Sequence, residues 1–155
     1  LVLILTGAWL FSEKTANRWA AFLIIFAVWD IFYYVWLKVL LDWPATILDW
    51  DILFMIPMVW ASPVIAPMMV SLMMFIFAML ILNISDRDKE FRVSFLSWIG
   101  FLLSALVIVL SFCLAGLHIK APDYRQHFSW PIFLLGMILA IRFFIRCYIR
   151  SNRFE

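Results

Sequence analysis

The chain has 155 residues, 67% of them hydrophobic and 14% charged, with a formal net charge of +2 and a mean hydropathy of +1.04. Soluble domains are about 45–50% apolar and about 25% charged, so a soluble globular fold is excluded. The small net charge and the lack of a basic tract argue against nucleic acid as a partner.

The opening run LVLILTGAWLF (1–11) is apolar but too short to cross a bilayer alone. It reads as a partial N-terminal helix whose first half lies upstream. It has no basic leader region and no small-residue cleavage site, so it does not read as a cleaved signal peptide. Complete crossings are predicted at about 19–41, 64–82, 95–117 and 130–150, each near the 20 residues that span about 30 Å of hydrocarbon. Continuous apolar runs, not short alternating ones, argue against a β-barrel. The predicted fold class is an all-α membrane protein: one transmembrane domain of four complete helices plus the partial first one.

Polar breaks at 12–18, 83–94 and the tail from Ser151 fall on one side of this threading. That side carries Lys14, Arg18, Arg87, Lys89, Arg92, Arg146, Arg150 and Arg153; the other carries Lys38, Lys120 and Arg125. Lys and Arg accumulate on cytoplasmic faces, so the C-terminal tail is expected in the cytoplasm. Trp19, Trp43, Trp98 and Trp130 sit near the predicted interfaces, where amphipathic rings anchor helices. Pro67 and Pro131 suit first helical turns, where a missing N–H costs nothing, and Ser129 suits a cap. Cys113 and Cys147 fall toward opposite faces and are expected to stay unbridged.

The outward segment DWPATILDWDILFMIPMVWASP (42–63) is apolar but interrupted by three aspartates and three prolines. Backbone cannot be left unpaired in lipid. The segment is therefore read as short interfacial or re-entrant helices. In the 95–117 crossing, Ser97, Gly100, Ser104, Ser111 and Ala115 line one face and let another backbone approach closely. That seam lies either within this protein or toward a partner.

Asp30 is the costly residue. It lies eleven residues from each end of its crossing, about 16 Å at 1.5 Å per residue. A bare carboxylate there costs about 3 kcal/mol on insertion scales. An ion pair with Arg142, at similar depth in the last crossing, would neutralise it. Tyr33 and Tyr34, three and four residues on, are placed to donate to it. A proton relay, a ligand contact and a neutral hydrogen-bonded acid are the other readings. Arg146 and Arg150 continue the Arg142 spacing and reach lipid headgroups or an acidic partner.

Asp49, Asp51, His118 and His127 on the outward loops form a weak metal pattern, since motifs of this kind normally have tighter spacing. Solvated acids and interfacial histidines are the expectation, with no metal. Met68, Met69, Met73 and Met74 read as packing, not as soft ligands. No nucleophile elbow, phosphate loop or zinc-protease helix is present.

The run WDIFYYVWLKVLLDWP, continuing into LDWDILFMIPMVWASPVIAP, resembles a segment of uncharacterised bacterial polytopic integral membrane proteins, over roughly residues 28 to 70. The resemblance implies a bacterial membrane setting and no activity. From the residues themselves, the expected role is a non-catalytic accessory or structural subunit that packs with other membrane subunits in the lipid bilayer. No cofactor is indicated, and bound lipid is expected. The alternatives are proton or ion translocation through Asp30 and Arg142, and an outer-surface enzyme or metal- or quinone-binding protein.

Overall fold

A computed structural model describes Gly7 and residues 14–55, 58–87, 91–118 and 128–153. The partial crossing expected at 1–11 lies outside the described residues apart from Gly7. Four helices among the described residues are long and apolar enough to cross a membrane: α1 (Thr15–Leu41), α2 (Ile65–Asp86), α3 (Phe95–Leu117) and α4 (Trp130–Arg153). The chain is an integral membrane protein by that criterion. With 27 residues, α1 is about 40 Å long at 1.5 Å per residue, more than the hydrocarbon needs. Tilt or an end standing clear of the lipid absorbs the excess.

Local chemistry sets the helix ends. Asp42 closes α1 in the left-handed region (φ 52°), where its N–H returns to the Lys38 carbonyl at 3.1 Å. Lys38 Nζ reaches the Asp42 carboxylate at 2.7 Å. Pro67 sits in the first turn of α2, as its missing N–H permits. The Ser94 hydroxyl caps α3 by accepting the Ser97 N–H at 3.3 Å. At the same end, the Ser151 hydroxyl of α4 accepts the Arg92 N–H at 3.0 Å.

Between α1 and α2 the chain forms strands, which differs from the helices expected at 42–63. β1 (Trp50–Phe54) pairs antiparallel with β2 (Trp60–Pro63), in the register Trp50 to Pro63 and Asp51 to Ser62, with an irregularity between Ile52 and Phe54. Aromatic and β-branched residues favour the pleat, and the prolines that break a helix are tolerated at strand ends. The preceding turn is organised by Asp49. Its carboxylate accepts Ala45 N at 2.7 Å, Thr46 N at 3.0 Å and Thr46 Oγ1 at 3.1 Å. Val64 N and Ile65 N then donate to the carbonyls of Asp49 and Ile47, each at 2.9 Å, tying the turn to the start of α2.

The helices pack as two pairs, α1 on α2 and α3 on α4, with α2 touching α4 between them and β2 lying on α3. Small residues permit the close approaches. Ser97, Gly100, Ser104, Ser111 and Ala115 are all buried on α3. Ser104 and Ser111 donate to their own helix at Phe101 O (2.9 Å) and Ile108 O (2.6 Å), so their hydroxyls are satisfied without a partner across the seam. A Cβ on Gly100 would meet the Phe143 ring, and one on Gly136 would meet Ile108 and the Ser104 carbonyl. Gly116 is tighter still: a Cβ there would overlap the Val59 carbonyl oxygen, so the hairpin docks on bare backbone.

Two apolar clusters result. At the hairpin end, Phe112, Phe128, Phe133 and Met137 pack with Ile108, Ala115 and Ala66. At the opposite, tail end, Phe144 stacks on Phe77 with centroids 3.9 Å apart, beside Ala20, Ala78 and Ile81. Both cysteines are free thiols, Cys147 buried and Cys113 half-buried.

Candidate functional site

A cavity of about 980 Å³ lies between α1 and α3, with the hairpin at one end. Ligand pockets in proteins run from about 300 to about 1,000 Å³, so this one is large for a chain of this length. Its walls are almost entirely apolar, with aromatic rings from every helix. At the tail end α1 and α3 meet through Trp19 and Trp98, whose ring centroids are 5.6 Å apart. Along the open side, the rim residues Trp29, Tyr33 and Leu102 are exposed.

The carboxylates of the cavity gather near the hairpin. Asp30 on α1 accepts a hydrogen bond from Ser71 Oγ of α2 at 2.7 Å, and Ser71 is buried. One turn on, the buried Tyr34 donates from its hydroxyl to Asp51 Oδ2 on β1 at 3.0 Å. Asp51 Oδ1 accepts the Ile52 N–H at 2.8 Å. Asp30 thus shares its cavity with a second carboxylate, and no Lys, Arg or His lies among the described residues that line it.

Several sequence expectations meet a different arrangement. Asp30 is cradled, but by the Ser71 hydroxyl and not by an ion pair with Arg142. The physical reason is helix order: α1 packs on α2, which puts Asp30 against α2, whereas Arg142 lies on the exposed face of α4. Tyr34 serves Asp51 and not Asp30, because the hairpin folds back over its hydroxyl. Tyr33 stands at the cavity rim, 44% exposed, so its ring faces outward. Arg146 and Arg150 lie with Arg142 on the exposed face of α4.

The weak metal candidates are dispersed. Asp49 is consumed by its turn, and Asp51 by Tyr34 and Ile52. His118 directs Nδ1 to the Leu114 carbonyl at 3.1 Å, and His127 lies outside the described residues. Among the described residues no three His, Cys, Asp or Glu side chains converge. Met69 and Met73 pack on the hairpin-end cluster.

Sequence reasoning missed Ser71 and the cavity itself. The one available signal for Ser71 is a lone hydroxyl in the run MMVSLMM (68–74), where a polar group in hydrocarbon needs a partner. The Trp60 indole Nε1 is shielded from solvent with no hydrogen-bond partner among the described residues. Outside the membrane span, the Lys38 ammonium, by its hydrogen bond first and its charge second, holds the exposed Asp42 carboxyl below the usual carboxylate range.

Chemically, the arrangement is an apolar chamber with a polar, acidic end, which offers hydrogen-bond acceptors and negative charge. No family model, no curated protein and no solved structure matches the chain.

Proposed function

We propose that this integral membrane protein is a non-catalytic accessory subunit that packs within a larger membrane complex, docking through the exposed face of α4. One observation carries the reading. Arg142 is exposed, twelve residues from Trp130 and eleven from Arg153, so about 18 Å and 16 Å from the two ends of α4. Among the described residues it makes no ion pair. An arginine facing lipid at such depth costs about 2.5–3.5 kcal/mol on insertion scales. An acidic side chain on a neighbouring subunit would remove that penalty and give the contact its specificity. Arg146 and Arg150 extend the same cationic face toward the tail, where the basic residues on that side support a cytoplasmic placement in a bacterial inner membrane.

Translocation of protons through Asp30 and Arg142 has less support. The two do not meet, and the carboxylates of the cavity lie on its hairpin side. Toward the tail end, Phe77, Phe144 and Phe91 stack across the path. An outer-surface enzyme has less support, since Asp49 and Asp51 are already engaged in hydrogen bonds.

The test is extraction from native membranes in mild detergent. The wild-type chain copurifies with larger membrane chains in a fixed ratio, and Arg142→Gln loses them while keeping its helical content. A monodisperse lone monomer from native membranes, with Arg142→Gln behaving identically, would overturn the proposal.

A further inference from the structure

We infer that the cavity between α1 and α3 is a binding site for one amphiphile with a primary ammonium head group, an aminolipid, whose head lies at Asp30 and Asp51 and whose tail runs toward Trp19 and Trp98. The inference is independent of how the chain assembles with other subunits.

Shape comes first. From Asp30 to Trp19 the cavity follows α1 for eleven residues, about 16 Å, and holds about 980 Å³ in all. Its long wall is built of Phe22, Phe26, Met73, Phe77, Phe101 and Val109, which offer an acyl chain only apolar contact. The exposed rim at Trp29, Tyr33 and Leu102 opens sideways, in the plane where lipid lies, so a lipid enters without leaving the bilayer.

Charge selects the head. Two carboxylates face this chamber from α1 and β1, and no cation lines it among the described residues. Asp51 has a donor on each oxygen, Tyr34 and Ile52, whereas among the described residues Asp30 accepts a hydrogen bond only from Ser71, on Oδ2. Asp30 Oδ1 is therefore the acceptor left for a ligand. An ammonium brings three donors and the opposite charge, and charge-assisted hydrogen bonds of this kind are the strong ones. The rings of Trp29, Tyr33 and Trp60 around the same end favour a cation over their faces. A head group carrying only phosphate or carboxylate meets like charge and is rejected.

The experiment uses the full chain in nanodiscs of phosphatidylcholine doped with equal amounts of phosphatidylethanolamine, phosphatidylglycerol and diacylglycerol. Native mass spectrometry then counts the lipids that stay with the protein on release. The expected result is one phosphatidylethanolamine retained, about tenfold over either competitor, a ratio within reach of one charge-assisted contact. Asp30→Asn reduces that preference to near parity. Ala105→Trp, which fills the rim side of the cavity, abolishes retention with helical content unchanged. Equal or greater retention of phosphatidylglycerol or diacylglycerol by the wild type would overturn the inference, and that comparison needs no variant to fold. So would an undiminished preference in folded Asp30→Asn.

Discussion

Gly116→Ala offers a sharp test of how the hairpin is seated. A Cβ at this position would overlap the Val59 carbonyl oxygen and stand 2.7 Å from its carbonyl carbon. Both are backbone atoms, so no rotamer change relieves the clash, and the hairpin must lift from α3. Overpacking of this kind costs about 1–3 kcal/mol. If β1 moves with β2, the Tyr34–Asp51 hydrogen bond goes too, adding about 1.5–3 kcal/mol for a bond to a charged acceptor. The loss therefore lies between about 1 and 6 kcal/mol. At about 2–4 °C per kcal/mol for a chain of this size, thermal unfolding in detergent should fall by several degrees or more. Amide exchange of Ile52 and Ala61 should accelerate, since they are paired in the hairpin. Gly100→Ala is the internal comparison. Its Cβ would stand 2.5 Å from three atoms of the Phe143 ring, a side chain that can turn aside where backbone cannot, so a loss at the lower end of about 1–3 kcal/mol is expected. Refutation is simple: if Gly116→Ala melts like the wild type, or above Gly100→Ala, the hairpin is not seated on bare backbone at Gly116.

Other consequences follow from the polar groups. Ser71→Ala leaves the Asp30 carboxylate without its donor and should destabilise the protein by about 1.5–3 kcal/mol, while Ser71→Ala with Asp30→Leu should recover most of that loss; a double variant as weak as the single one would contradict the pairing. Trp60→Phe removes a shielded N–H that has no partner among the described residues, so its unfolding midpoint should match or exceed the wild type, and a fall of several degrees would show that the indole donates after all. Lys38→Met should return the Asp42 pKa toward the ordinary carboxylate value, read by carboxyl carbon NMR. Because the folded value is depressed, the pair's small contribution is present above the unfolded pKa and fades as pH falls through the folded one; high salt should shrink it, and a salt-independent value would argue against the ion pair.

The helices were legible because hydrocarbon imposes a length. Runs of about 20 apolar residues have few alternatives in lipid, and Pro67 marks one of the starts. The close-packing face of α3 was legible for a similar reason, since serine, glycine and alanine repeating on one side leave room for a neighbouring backbone. The hairpin was not. Its strands pair Trp50 with Pro63 across a turn that carries none of the short hairpin signals, and an apolar, proline-broken run reads equally as short helices. The expense of Asp30 could be read from its depth, but depth alone does not choose a partner. Arg142 and Ser71 both sit within the membrane, and only the packing of α1 on α2 brings the serine to the acid. The cavity had no signature at all, because it exists between helices that each look ordinary in isolation.

The claim that matters most is that a protein, and not lipid alone, meets the arginine face of α4. Photo-crosslinking in native membranes asks this directly, with a photoreactive residue in place of Ile138, which is exposed one turn before Arg142. The account predicts a discrete crosslinked band containing one recurring membrane chain, lost when Arg142 is also changed to Gln. Lipid adducts alone, or the same crosslinks with Arg142→Gln, would contradict it.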